Sequence, residues 1–125
     1  MKSVEDIKKL REAKAKESED RLKVMRAKEE ELCKIAKNKG LKFAEEVNLD
    51  SYVDGLIDSK SITIDMDKFA EKHPDYKAYD SVNRIDEMKS LVEGIIEGIT
   101  KRFDDNGFVF THDTNYSGLV YTLSI

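Results

Sequence analysis

The sequence predicts an α+β fold in which a long amphipathic helix near the C-terminus runs into an antiparallel β-hairpin. Three observations predict it. Apolar residues fall at Val82, Ile85, Met88, Val92, Ile95, Ile96, Ile99 and Phe103, in steps of three and four that line one face of a helix. Two later runs, Phe108-Val109-Phe110-Thr111 and residues 119–125, are aromatic and β-branched and flank a polar loop, as paired strands do. Finally, residues 3–39 contain neither Pro nor Gly and are dominated by Ala, Lys, Glu, Arg and Leu, the composition of a long helix.

That first helix has its signals at both ends. Ser3 is the expected N-cap, Glu5 and Asp6 supply acid to the first turn, and Gly40 stands where a C′ residue belongs. Such a helix is roughly 55 Å long, more than the width of a body of this size. Its apolar positions form two groups, Val4-Ile7-Leu10 and Leu22, Met25, Leu32, Ile35 and Ala36, separated by the polar run 11–21. Arg11, Lys14, Ser18 and Lys28 stand where a sustained coiled coil keeps apolar residues. The expectation is a helix that docks its C-terminal half on its own body and offers Val4, Ile7 and Leu10 to a second subunit, since an apolar stripe on a charged rod needs cover.

Between the two long helices the elements are short. Residues 50–58, with Tyr52, Val53, Leu56 and Ile57, read as a helix, and Ser61-Ile62-Thr63-Ile64 as a strand. Asp65 or Asp67 caps a helix over 68–72 that His73-Pro74 closes. Residues 75–79 read as a polar linker with two tyrosines. The long helix from Asp80 then stops at Asp104-Asp105-Asn106-Gly107, turn formers followed by a glycine suited to positive φ. Gly94 and Gly98 share a face of this helix. Each weakens it by about 1 kcal/mol against alanine, so a strand or a partner helix crossing closely at that point is expected.

Charge divides the chain. Residues 1–40 carry 13 Lys and Arg against 9 Asp and Glu, a net of +4, whereas residues 41–125 carry 9 against 17, a net of −8. The organisation expected is a charged helical arm over 1–40 and a compact α+β body over 41–125, with association steered by the opposite charges. The lone Cys33 cannot close an internal disulfide, and no apolar run approaches 18 residues. A soluble cytoplasmic protein with no membrane contact is expected.

Catalytic constellations are missing from the pattern. His73 and His112 lie 39 residues apart, with no further His or Cys at ligand spacing, so no metal and no cofactor is expected. Asp65-Met66-Asp67 and the 104–107 turn lack the spaced oxygens of a calcium loop. No phosphate-binding glycine motif and no Gly-flanked nucleophile occurs, and the reading is of a protein without enzymatic activity. The informative polar cluster is the hairpin loop from His112 to Gly118. Phosphate calls for arginine, a base for an aromatic plane, and ribose for an amide. Arg84, Arg102, His112, Asn115 and Tyr116 are the residues of those types, and they are the candidate ligand-binding set.

Two other readings stay open. The acidic body suits an inhibitor that fills the basic groove of a host protein. Alternatively, the order helix, strand, helix, helix, hairpin is that of a winged helix-turn-helix domain. The helix in the recognition position, however, carries Asp80, Asp86, Glu87, Glu93 and Glu97, a surface that repels DNA.

In general plan, carried by Ser3-Val4-Glu5-Asp6-Ile7-Lys8-Lys9-Leu10-Arg11 and the stretch from Arg102 through Tyr121, the chain resembles the phage proteins that counter the Thoeris bacterial defence by sequestering its cyclic ADP-ribose signal. The resemblance implies a homo-oligomeric sponge acting in the cytoplasm of an infected bacterium. It would bind a cyclic signalling nucleotide between subunits without cleaving it. Association would run through the N-terminal helix and the hairpin.

Overall fold

In the computed structural model, which describes residues 1–80, 82–112 and 118–125, the fold is α+β. Eight elements follow in order: α1 (Val4–Glu46), α2 (Asp50–Gly55), β1 (Ser61–Asp65), α3 (Met66–Ala70), α4 (Tyr76–Tyr79), α5 (Ile85–Asp105), β2 (Val109–His112) and β3 (Val120–Ser124). A 3-10 turn at Val82–Arg84 leads into α5. The chain divides into two compact units, Met1–Leu32 and Cys33–Ile125.

The first unit is helix alone. Ser3 caps it through a reciprocal pair: the Asp6 amide donates to Ser3 Oγ at 3.3 Å and the Ser3 amide to Asp6 Oδ2 at 3.1 Å, which satisfies two otherwise free donors of the first turn. Val4, Ile7, Leu10, Leu22 and Met25 are all exposed along this stretch.

The second unit holds the core. α1 does not end at Gly40, as its sequence position suggests; it runs on to Glu46. The physical reason is a helix crossing. A methyl group at Gly40 would overlap the Leu91 carbonyl oxygen, one at Gly94 would overlap the Lys37 carbonyl, and one at Gly98 would stand 2.6 Å from Ala44 Cβ. The three glycines thus let the backbones of α1 and α5 touch, so Gly40 is a packing residue and not a stop signal. The element expected to cross Gly94 and Gly98 is the chain's own first helix.

α5 buries Leu91, Val92, Ile95, Ile99 and Phe103, while Ile85 is exposed and Met88 and Ile96 pack at the margin. The buried face is therefore rotated toward Leu91, a residue outside the stripe read from sequence, because α1, α3, α4 and β2 all pack against the helix. The expectation for the Val82 side chain lies outside the described residues.

The hairpin forms part of a three-stranded antiparallel sheet in the order β1-β3-β2. Ile62 pairs with Leu123 and Ile64 with Tyr121 on one side, and Phe110 pairs with Leu123 on the other. This places Ile64, Phe110 and Leu123 on the core face, and Thr63, Thr122 and Thr111 in one row on the opposite face. Asp65 caps α3 by accepting from the Asp67 amide at 3.0 Å and the Lys68 amide at 3.3 Å. Residues 75–79 are not a linker. They contain α4, whose Tyr79 is 3% exposed. Its hydroxyl accepts from Lys39 Nζ at 3.0 Å and its ring lies 4.6 Å from the Arg84 guanidinium, so a tyrosine that looks polar in sequence is a core anchor with a wet tip.

Candidate functional site

The sequence-derived ligand set falls on separate parts of the body. Arg84 stands at the N-cap position of α5 without a capping side-chain bond; its Nη2 holds Glu87 at 2.9 Å, and its Nη1 donates to the Ala78 carbonyl at 3.4 Å. Its bond to Glu87 holds the guanidinium above its ordinary pKa. Arg102 lies near the other end of α5, about 27 Å away at 1.5 Å per residue. The two cannot serve one phosphate within a chain. His112 ends β2, where its Nε2 meets the Gly118 carbonyl oxygen at 2.9 Å and its ring packs on Tyr121. Asn115 and Tyr116 lie outside the described residues.

Arg102 has the more informative surroundings. Its Nη1 donates to both the Ala44 and Val47 carbonyl oxygens at 2.7 Å. The last turn of α1 contains no basic residue, so α5 supplies the cation that satisfies its terminal carbonyls. Two of the five guanidinium N–H groups are used this way. The same side chain lines a groove of about 250 Å³ with Leu49, Asp50, Val53, Phe103, Asn106 and Phe108. Asn106 is held by a bond from its Nδ2 to the Arg102 carbonyl at 2.7 Å. Phe108 packs edge-on against Phe103.

Sequence reasoning found Arg102 and missed Asn106 and Phe108. Asn106 was available: it stands four residues after Arg102, which places both on one helix face. Its membership of a turn-forming run concealed that. Asp50 and Val53 come from α2, a long-range juxtaposition that no local spacing signals.

Comparison with known proteins adds no relative. No family model matches the chain, and neither a curated protein nor a solved structure matches it at a significant level.

A second groove, of about 390 Å³, is floored by Met88, Val92, Ile96 and Leu119 and rimmed by Asp67, Tyr76, Lys89 and Glu93. Burial raises the Tyr76 phenol above its ordinary pKa. With one cation against two carboxylates, this groove suits an apolar or cationic surface better than an anion.

A polar cluster joins α1 to the residues around α4. Lys39 Nζ lies 3.1 Å from Asp75. The hydrogen bond from Lys39 keeps the Asp75 carboxyl below its usual range, and the Tyr79 and Asp75 bonds raise Lys39. His73 is almost wholly buried, accepts from the Asp75 amide at 3.0 Å through Nδ1 and packs on Phe43. Burial lowers its pKa, so it is a neutral structural imidazole. Among the described residues no group of three or more His, Cys, Asp or Glu could hold a metal ion. No described helix is long and apolar enough to cross a membrane.

Proposed function

We propose that the chain is a non-enzymatic, oligomeric binding protein that sequesters a small phosphate-bearing, nucleotide-like ligand, with Arg102 as the anion contact. The observation that carries this reading is the Arg102 groove. A guanidinium already fixed by two carbonyls loses little freedom on meeting a phosphate, and preorganisation of that kind favours tight binding. The amide of Asn106 supplies donors and an acceptor for a base edge or ribose, the Phe108 ring an apolar plane, and Asp50 an acceptor for a hydroxyl. Arg84, Asn115, Tyr116 and His112 are not needed for this arrangement. The resemblance to phage proteins that sequester cyclic ADP-ribose narrows the ligand to a cyclic signalling nucleotide and the setting to the cytoplasm of an infected cell.

The volume of the groove lies below the 300–1,000 Å³ usual for small-molecule sites. A second subunit closing over it would complete the enclosure, which is why the reading includes association. Binding calorimetry with cyclic ADP-ribose isomers and other cyclic nucleotides tests it, followed by recovery of the ligand after denaturation. Saturable heat and intact ligand are expected. Silence across the panel, or recovery of a cleaved product, would remove the proposal.

A second reading has its own support. The apolar groove at Met88, Val92, Ile96 and Leu119 and the net negative charge of the body favour docking of a basic, amphipathic segment of a host protein. Capture from lysate that weakens as salt rises would favour this reading. DNA is disfavoured although the strand order suits a winged helix, because α5 presents Asp86, Glu87, Glu93 and Glu97.

A further inference from the structure

We infer that the exposed stripe on the first unit pairs with the same stripe of a second copy, antiparallel, about a two-fold axis beside Lys14. The inference rests on the reading that the chain associates and specifies how. From Val4 the positions on one helix face, in steps of three and four, are Val4, Ile7, Arg11, Lys14, Ser18, Leu22 and Met25. This series reads nearly the same from either end: two apolar residues, a polar centre, two apolar residues. Nothing in the unit covers it, for Val4 is 72% exposed, Leu22 52% and Met25 58%.

Two copies laid antiparallel match the apolar ends. Val4 faces the partner's Met25, Ile7 the partner's Leu22, and Arg11 the partner's Ser18, with Lys14 level with the partner's Ala15 beside the axis. The steps from Val4 to Arg11 match those from the partner's Met25 back to Ser18, so these three layers share one register and the axis falls between Lys14 and Ala15. The flanks match as well. Lys8 lies on the same side of the stripe as Glu19, and in this register Lys8 and Arg11 both come beside the partner's Glu19. Glu17, which holds Arg21 on its own helix at 2.8 Å, comes within a turn of the partner's Lys14.

A parallel pair would align the apolar residues equally well but would stack Arg11 on Arg11 and Lys14 on Lys14 in successive layers. Like charges placed opposite each other are destabilising, and antiparallel helices also oppose their dipoles favourably. The polar centre that disqualifies a continuous coiled coil therefore favours the antiparallel orientation, which sets Arg11 beside Ser18 and leaves one close like-charge pair, Lys14 with Lys14, where a parallel overlap has two.

Cysteine cross-linking of the full chain with Cys33→Ala tests this. Ile7→Cys combined with Leu22→Cys should give a covalent dimer on mild oxidation. Residues 7 and 22 of one chain are about 23 Å apart along the helix, too far for a bond within the chain. Lys14→Cys alone should also cross-link, whereas Ile7→Cys alone should not. Light scattering should give an even multiple of the 14.3 kDa chain mass. Efficient cross-linking by Ile7→Cys alone would overturn the orientation while leaving association intact; a mass of one chain would overturn both.

Discussion

Replacing Gly98 by alanine tests the helix crossing that organises the body. Two effects oppose each other. Alanine stabilises an isolated helix by about 1 kcal/mol over glycine. In the fold, the new methyl would stand 2.6 Å from Ala44 Cβ, with Leu41 O at 3.4 Å and Leu41 Cα at 3.6 Å. Methyl groups rest near 3.7 Å, so the helices must part by about 1 Å, which forfeits a quarter to a half of each contact across the crossing. Overpacking of this kind costs about 1 to 3 kcal/mol. The steric term outweighs the propensity gain, and the net expectation is destabilisation of up to about 2 kcal/mol. Because the main obstacle is one methyl, Ala44→Gly should relieve it. Ala44→Gly alone loses about 1 kcal/mol of helix propensity and about 0.8 kcal/mol of methyl burial. The double variant should be more stable than the sum of the single losses by at least 1 kcal/mol, the coupling expected of residues in contact. Urea unfolding followed by circular dichroism measures all four corners of this cycle. A stabilising Gly98→Ala, or strict additivity, would refute the crossing as described.

Three further outcomes follow from the structure. Arg102→Met should leave the Ala44 and Val47 carbonyls without their cation and lower stability by about 2 kcal/mol, read as a shift in the urea midpoint. Asp65→Ala should cost about 1 kcal/mol by removing the cap of α3, with no effect on the mass in solution. Stability should fall as pH drops below about 6.5, the ordinary pKa of histidine. The folded pKa of His73 is lowered by burial, so the unfolded chain binds the proton more readily and the neutral-imidazole contribution is present above that pH and lost progressively beneath it. Urea midpoints at pH 7.5 and 5.5 should differ more in the wild type than in His73→Gln, and equal slopes would contradict the assignment.

Much of this architecture was legible in the residues. Ser3, Asp65 and the aromatic and β-branched runs around Phe110 and Tyr121 act locally, so caps and paired strands could be read directly. What escaped depends on partners distant in sequence. Gly40 looks like a helix end because glycine commonly ends helices, yet here its missing side chain admits the backbone at Leu91 and Ile95. Leu91 is off the apparent apolar stripe, and its burial comes from elements distant in sequence, since α1, α3, α4 and β2 all pack on α5. Tyr79 reads as linker because the partner of its hydroxyl, Lys39, lies forty positions earlier. The site was the least legible part: Arg102 could be picked by type, but its bonds to Ala44 and Val47 and its place beside Asp50 arise only once α1 and α2 are folded against α5.

The most direct test of a ligand site at Arg102 is an amide and side-chain NMR titration of the full chain with cyclic ADP-ribose. The account predicts saturable shifts at the Arg102 Nε–H, the Asn106 side-chain amide and the backbone of Asp50 and Phe108, with the ligand spectrum unchanged at the end. Shifts confined to Tyr76, Lys89 and Leu119, or none at saturating ligand, would contradict it.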